Sequence, residues 1–248
     1  MTALPAWPPR SLPRLFVRTM LTEGGTVELD SGQANYLGNV MRLRQGAELL
    51  LFDGSSGEWR ARVAEQGKRR MVLRVERLTR PVEAVPDLWL AFAPVKRGPV
   101  EYLVEKATEL GVARLLPVVT KRTVVERLKQ ERLAAIAIEA AEQCGRTLLP
   151  KIAEPVALDA LLADRDPART LYFADETGGD AIGTAFAPGP AMILIGPEGG
   201  FTPDERNLIR AEPNVRAVSL GPRILRAETA ALAAVAGWMA LAGDWRSG

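Results

Sequence analysis

The chain has 248 residues, of which 47% are hydrophobic and 25% charged, and its net charge is +2. This composition is ordinary for a globular protein and leaves room for one large domain or two small ones. With no histidine and a single cysteine, Cys144, the sequence excludes Ser-His-Asp and Cys-His catalysis, zinc sites built on these residues, and an internal disulfide. Any chemistry must use carboxylates, arginine, lysine, hydroxyls and backbone groups, or be supplied by a cofactor.

The N-terminal segment Met1–Leu12 is rich in proline and lacks the apolar stretch of a signal peptide. No apolar run approaches the length of a membrane span. We therefore expect a cytoplasmic protein that does not associate with membranes, and a single cysteine suits that reducing compartment. We also expect no metal site.

Residues 14–80 are predicted to form a small β-barrel domain. Short β-type runs alternate there with glycine-containing turns; the runs are Leu15–Val17, Thr26–Leu29, Glu48–Phe52, Glu58–Val63 and Met71–Leu78. Between the second and third runs, Gln33–Leu43 has the periodicity of a helix. Residues 1–80 contain 13 Lys and Arg against 8 Asp and Glu, a balance that favours an RNA-binding module, although scatter in surface charge is not excluded.

Five basic residues of this first domain are candidate contacts to RNA phosphates: Arg42, Arg44, Lys68, Arg69 and Arg70. For each of them, a solvated surface charge with no partner is an equally good interpretation.

The proline-containing segment Pro81–Pro86 is the predicted boundary between a domain of residues 1–80 and a second domain of residues 86–248. Beyond it, β-type runs alternate with helical ones, which predicts an α/β domain with a mostly parallel sheet. The predicted strands are Leu88–Ala93, Val112–Val119, Thr170–Ala174, Met192–Ile195 and Val215–Leu220. The predicted helices are Val100–Leu110, Lys129–Cys144 and Ala227–Gly243.

Two of these strands end in glycine loops that lead into helices. The first loop is Gly196–Gly200, followed by a helix start in which Thr202, Pro203 and Glu205 form a capping box with proline at the first position. The second loop is Gly221–Leu225. Such loops can lie side by side at one edge of a sheet and bind a ligand through backbone groups.

The spacing of the first loop fits neither a phosphate-binding P-loop nor the dinucleotide fingerprint. The carboxylate of Glu198 would also repel a phosphate, so a neutral or cationic ligand is favoured. The alternative is that both loops are merely tight turns that need positive φ angles.

The segments Ile195-Gly-Pro-Glu-Gly-Gly-Phe and Leu220-Gly-Pro-Arg-Ile-Leu-Arg-Ala-Glu-Thr-Ala resemble those of the RsmE family. These bacterial enzymes methylate N3 of a uridine in 16S ribosomal RNA. The resemblance implies an N-terminal PUA-like domain and a C-terminal SPOUT-type domain that binds S-adenosylmethionine in a deep trefoil knot. It further implies a homodimer, in which the final helix commonly builds the interface, although that helix also reads as a buried core helix. One departure is Tyr36, where the family is expected to have histidine.

The resemblance also implies roles for individual residues. It assigns the catalytic centre to Arg226, Glu228 and Glu198. The expected cofactor-binding residues are Leu171, Gly196, Pro197, Glu198, Gly199, Gly200, Leu220, Gly221, Arg223, Ile224 and Leu225. Arg14 and Arg146 join the five basic residues above as expected contacts to 16S ribosomal RNA or the small ribosomal subunit.

Methylation of uracil N3 requires that its proton be removed, because the neutral nitrogen is a poor nucleophile. An adjacent arginine favours the anionic base, and a carboxylate can accept the proton. The choice between Glu198 and Glu228 for that step stays open. A non-catalytic RNA-binding or assembly protein with the same fold is the competing interpretation, whereas a nucleotide-dependent oxidoreductase fails on the spacing of the loops.

Overall fold

The computed structural model describes residues 12–67, 70–95, 97–124 and 128–247. The chain divides into two compact units. The first extends to Ala84 and also contains Ala141–Leu148, and the second consists of Val85–Ala140 together with the residues from Leu149 onward. The first division lies within the Pro81–Pro86 segment, but the sequence pattern did not indicate that residues 141–148 belong with the N-terminal unit.

The first unit is built on a five-stranded sheet. Its elements in chain order are β1 (Arg14–Phe16), β2 (Thr26–Glu28), α1 (Ser31–Asn35), β3 (Glu48–Phe52), β4 (Glu58–Gln66) and β5 (Met71–Arg80). The strand order is β1-β3-β4-β5-β2, with β1 and β3 parallel and the other neighbours antiparallel. Alternate strand residues face an apolar core that includes Leu49, Leu51, Ala61, Val63, Leu73 and Val75.

The predicted single helix over Gln33–Leu43 is wrong in its bounds and its type. The helix α1 begins earlier because the Asp30 side chain caps it, accepting a hydrogen bond from the Gln33 amide at 2.8 Å. A π-helical turn, Tyr36–Val40, follows directly. Arg42 then adopts a positive φ of 55°, which ends the helical path.

The second unit is built on a sheet whose paired strands are all parallel. Its strands are β6 (Leu88–Phe92), β7 (Arg114–Val119), β8 (Lys151–Ile152), β9 (Val156–Ala157), β10 (Thr170–Ala174), β11 (Asp180–Ala181), β12 (Ala191–Ile195) and β13 (Val215–Ser219). The order is β11-β13-β10-β12-β6-β7-β8, with β9 paired to β7. The helices are α2 (Arg97–Glu109), α3 (Gln130–Cys144), α4 (Leu158–Ala163), α5 (Ile182–Ala185), α6 (Pro203–Ala211) and α7 (Ala227–Leu241).

Both faces of this parallel sheet are buried. On β12, Ile193 and Ile195 contribute to one apolar cluster, whereas Met192 and Leu194 contribute to the other. Burial on both sides explains why the sequence of this strand is continuously apolar instead of alternating. The predicted parallel α/β architecture is confirmed.

The final helix α7 packs its buried face, which includes Ala231, Ala234, Val235, Trp238 and Met239, into the first of these clusters. For this face, the core-helix interpretation of the sequence is therefore correct. Within the described part of the chain, none of the helices has the length and apolar character needed to cross a bilayer. The same residues contain no group of acidic or cysteine side chains suited to hold a metal ion.

A buried ion cluster lies within the first unit and includes residues 141–146, which belong to that unit and contain the end of α3. The Arg14 side chain is 5% exposed and donates from Nε to Glu58 Oε2 at 2.7 Å. Its remaining nitrogens donate to the main-chain carbonyls of Ala141, Glu142 and Arg146. Arg14 therefore donates to carbonyl groups in and just beyond the last turn of α3.

The second arginine of this cluster, Arg80, binds the Glu58 carboxylate through two nitrogens, at 3.0 and 2.8 Å, and donates to the Gly145 carbonyl at 2.8 Å. Burial by itself raises the pKa of the Glu58 carboxyl, but the hydrogen bonds from Arg80 and Arg14 outweigh that effect and bring the pKa below its ordinary value. The carboxylate consequently stays ionised between its two arginines at neutral pH.

We expect Arg14→Ala to lower the free energy of unfolding by about 3 kcal/mol, because it leaves the buried Glu58 carboxylate with one partner fewer and uncaps the α3 carbonyls. Urea denaturation measures the change. Arg18→Ala, which removes an exposed arginine from the same segment, is the control and should change stability little. Equal stability of the two variants would contradict a structural role for Arg14.

Candidate active site

A pocket of about 380 Å³ lies at the carboxyl edge of the sheet in the second unit. Three loops line it, and each follows one of the neighbouring strands β12, β10 and β13. The lining residues are Ala174, Asp175, Glu176, Gly178, Ile195–Phe201, Val218–Leu225, Ala227 and Ala230. The two glycine loops thus meet in one pocket, but β10 lies between their strands and supplies a third loop that the sequence analysis did not assign.

The first loop is held close to the sheet by its own aromatic residue. Phe201 is fully buried, and a Cβ atom at Gly196 would lie 3.0 Å from its ring. Gly200 has a positive φ of 67°, and a side chain there would collide with the Glu176 carboxylate. Two glycines of this loop are therefore required by space or backbone conformation, which supports the prediction that the loop is specialised.

The predicted capping box anchors the exit of the first loop and is confirmed. The Thr202 hydroxyl accepts from the Glu205 amide at 3.3 Å, and Glu205 Oε2 accepts from the Thr202 amide at 2.8 Å. The other Glu205 oxygen accepts from the Lys121 amide at 2.7 Å, so one carboxylate joins α6 to the segment after β7. Arg122 in that segment donates a hydrogen bond to the Gly199 carbonyl.

The third loop is fixed by a buried carboxylate. The Asp175 side chain has no exposed surface and pairs with Arg210 at 2.8 Å and with Arg206 at 3.3 Å. It also accepts hydrogen bonds from the amide and hydroxyl of Thr177. Burial raises the pKa of the Asp175 carboxyl, but the bonds from Arg210 and Thr177 and the charge of Arg206 outweigh it, so the pKa lies below its ordinary value.

The neighbouring Glu176 lines the pocket and pairs with Arg206, which also contacts Asp175. The sequence analysis assigned no role to Asp175 or Glu176. The signal that would have found them is positional, since polar residues directly after a buried parallel strand lie at the ligand-binding edge of a sheet.

The second loop is open to solvent. Gly221 has a positive φ of 103°, and Ile224 is 94% exposed although it is a large apolar residue. Arg226 is the N-cap of α7, and its side chain makes no capping hydrogen bond. A cation at this position opposes the helix dipole, whereas Glu228 in the first turn complements it.

Most residues predicted to bind the cofactor line the pocket, from Gly196 to Gly200 and from Leu220 to Leu225. Arg226 and Glu228 flank the lining residue Ala227 without lining the pocket themselves. Leu171 does not reach the pocket. It is fully buried near the amino end of β10, in the apolar cluster with Phe173 and Met192, so its predicted contact with a ligand is corrected.

The residues predicted to bind RNA are exposed, lie outside the described residues, or are buried. Arg42, Arg44 and Arg70 are exposed, although Arg44 donates to the Gly38 carbonyl and Arg70 pairs with Glu28. Lys68 and Arg69 lie outside the described residues.

Arg14 and Arg146 require correction, because each side chain is 5% exposed and belongs to the interior of the first unit. Arg14 donates its hydrogen bonds to Glu58 and to main-chain carbonyls. The Nε atom of Arg146 lies 3.5 Å from Oε1 of Glu83. A buried guanidinium that is already bonded does not offer a surface contact to phosphate.

Comparison with known proteins agrees with this geometry. Residues 82–239 match an RNA methyltransferase domain, and residues 29–76 match an RNA methyltransferase PUA domain. Ribosomal RNA small subunit methyltransferase E of Rickettsia conorii is 31% identical over 229 residues, which cover 90% of this chain and 93% of that protein.

Two solved structures share the whole architecture. Ribosomal RNA small subunit methyltransferase E of Neisseria gonorrhoeae, bound to S-adenosylmethionine, has a TM-score of 0.87 and 30% identity over 94% of this chain and 99% of that one. A methyltransferase of Legionella pneumophila, in complex with the same cofactor, has a TM-score of 0.85 and 30% identity over 95% and 99% of the two chains.

These matches define an RNA methyltransferase with an N-terminal PUA domain. Within that class, the chain belongs to the ribosomal RNA small subunit methyltransferase E family, and the resemblance drawn from the two glycine loops is confirmed.

We expect Asp175→Asn to lower the free energy of unfolding by about 2 kcal/mol at neutral pH, since it leaves Arg206 and Arg210 beside a neutral amide. The wild-type carboxyl has a depressed pKa, so its contribution is complete above its ordinary value of 3.8 and is lost as the pH falls through the lower folded value. The difference between the two proteins should therefore shrink as the pH falls from about 4 toward the lower folded pKa.

Urea denaturation across that pH range measures this change. Asp159→Asn removes an exposed carboxyl of the same unit and serves as the control for the loss of one charge. A difference between wild type and Asp175→Asn that does not vary with pH would show that the ion pairs of Asp175 do not stabilise the third loop.

Proposed function

We propose that this protein transfers a methyl group from S-adenosylmethionine to N3 of a uridine in 16S ribosomal RNA. The observation that supports this most directly is the three-loop pocket at the carboxyl edge of the parallel sheet, in a chain that matches the RNA methyltransferase domain over residues 82–239. The relatives with whole-chain similarity are named small subunit ribosomal RNA methyltransferases, and one was solved with the cofactor bound.

The residues that line the pocket suit this cofactor. Its lining combines glycine backbone with apolar side chains such as Ile195 and Leu220, which suits a flat adenine ring. Its charged lining includes the carboxylates of Glu176 and Glu198, which favour a cationic ligand. The residues Gly196–Gly200 and Leu220–Leu225 would hold the cofactor, which supplies a methyl group on an electrophilic sulfonium.

The residues beside the pocket would prepare the uridine. Arg226 opposes the dipole of α7 and has no capping bond, so an anionic partner is the simplest physical reason for a cation there. A uracil deprotonated at N3 is such an anion, and Arg226 would stabilise it. Glu228 and Glu198 are the two candidate acceptors for the N3 proton.

The remaining parts of the proposal concern how the RNA is bound and the state in which the protein acts. The N3 atom lies on the Watson–Crick edge of the base, so the uridine must be unpaired when it reaches the pocket. The PUA domain would supply affinity for the RNA or the small ribosomal subunit. The homodimer and the trefoil knot stay predictions that derive from the family, and the cytoplasmic location stays a prediction that derives from the sequence.

The proposal is tested by incubating the purified protein with S-adenosylmethionine and small-subunit ribosomal RNA, as free transcript and as assembled subunit. Digestion to nucleosides and mass spectrometry should detect N3-methyluridine in at least one of the two substrates. Absence of methylation in both, with the cofactor bound, would instead favour a non-catalytic RNA-binding protein of the same fold.

We expect Arg226→Ala to reduce the methylation rate by about 100-fold or more, as found when a charge-stabilising group is removed from an active site. The melting temperature and the affinity for S-adenosylmethionine, measured by calorimetry, should stay close to wild type, because the side chain caps nothing and lies outside the pocket lining. Arg132→Ala, an exposed arginine of α3, is the matched control. Methylation by Arg226→Ala at the rate of that control would remove Arg226 from the catalytic centre.

A further inference from the structure

The outer face of the first unit carries four arginines on two neighbouring strands. On β4, Ala61 and Val63 point into the core, so Arg60 and Arg62 point outward. On β5, Leu73 and Val75 point inward and the exposed Arg74 points outward. A register irregularity between Arg60 and Ala61 then interrupts the alternation, and the exposed Arg77 lies opposite Arg60. We call the surface formed by Arg60, Arg62, Arg74 and Arg77 the arginine face.

The register of the strands places these arginines directly opposite one another. Arg62 lies opposite Arg74 across the ladder, and Arg60 lies opposite Arg77 beyond an irregularity in the register. Like charges in cross-strand positions destabilise a sheet, because opposed side chains lie only about 5 Å apart at their Cβ atoms. The arginine face therefore repeats an unfavourable arrangement twice in succession.

Two carboxylates neutralise half of this charge. Glu48 on β3 accepts hydrogen bonds from Arg60 and Arg62, and Glu76 accepts from Arg62 Nε at 2.8 Å. The Arg60 hydrogen bond helps to hold the pKa of Glu48 below its ordinary value, so this carboxylate stays charged. Within the described residues, Arg74 and Arg77 form no ion pair, and the face keeps two uncompensated positive charges.

Packing does not account for Arg74 and Arg77. Both residues are exposed, and neither belongs to the apolar core of the unit. A pair of exposed guanidinium groups that weakens the sheet and contacts no carboxylate is explained by an anion that binds from outside. The fork of an arginine matches the oxygens of a phosphate.

We propose that the arginine face binds the phosphate backbone of the substrate RNA. This inference rests on the proposed function and adds a surface that the sequence analysis missed, since none of the four residues was among its candidates. Successive outward positions on a strand are about 6.6 Å apart, so the two strands present an array of donors over neighbouring phosphates. Phosphate contacts fix the register of a nucleic acid without reading its bases, which suits a domain that positions an RNA whose uridine is modified in the other unit.

The test compares Arg74→Gln/Arg77→Gln with Arg132→Gln/Arg246→Gln in the full-length protein. The second variant removes the same charge from exposed positions of the other unit. Binding of a small-subunit ribosomal RNA transcript is followed by fluorescence anisotropy over a range of salt concentrations. Cofactor affinity, melting temperature and methylation at saturating RNA are measured in parallel.

We expect Arg74→Gln/Arg77→Gln to bind the RNA about tenfold more weakly, with a salt slope about 1.4 smaller, as follows from the loss of two phosphate contacts to single-stranded RNA. The control variant should bind like wild type. The melting temperature should stay the same or rise, because the substitution relieves the opposed charges. Cofactor affinity and methylation at saturating RNA should be unchanged.

RNA affinity equal to that of the control would overturn the inference, even if wild type methylates the RNA, and would assign the face to an acidic protein partner instead. A fall in melting temperature would overturn it as well, because it would give the arginines a structural role. Failure of the wild-type protein to bind the RNA would overturn this inference together with the proposed function.

Discussion

Burial of the parallel sheet on both faces is the constraint on which the second unit depends. Strands such as β12 place every side chain in an apolar cluster, so they leave no position for polar chemistry along their length. Functional groups can then occur only where strands end, and the carboxyl edge of β12, β10 and β13 is where the pocket lies. The Asp175 ion pairs hold the middle loop between the other two, so the shape of the pocket depends on a carboxylate whose side chain is fully buried.

Arginine serves opposite purposes in the first unit, and burial distinguishes them. Arg14 is enclosed and bonded to Glu58 and to carbonyls of the α3 terminus, so its charge is used inside the protein. Arg74 and Arg77 are exposed and opposed by other arginines, so their charge is directed outward. The residue type is the same for both uses, and the difference arises from tertiary pairing.

The sequence could predict features that depend on local patterns, but not those that depend on tertiary arrangement. The apolar runs of β10 and β12 and the Thr202 capping box were predictable, because their signals are local in the chain. Two-residue strands such as β8 and β11 carry no periodicity and were missed. The position of β10 between the two glycine loops depends on strand order, which no local pattern encodes. Leu171 was assigned to the site although it lies near the amino end of β10, buried in an apolar cluster.

The central claim is that one pocket, built from three strand-end loops, binds S-adenosylmethionine. Hydrogen exchange followed by mass spectrometry, with and without the cofactor, tests it directly. The account predicts slower exchange in residues 174–178, 196–201 and 219–225, and little change in the strands of the first unit. Protection that spares these three loops and appears elsewhere in the chain would contradict it.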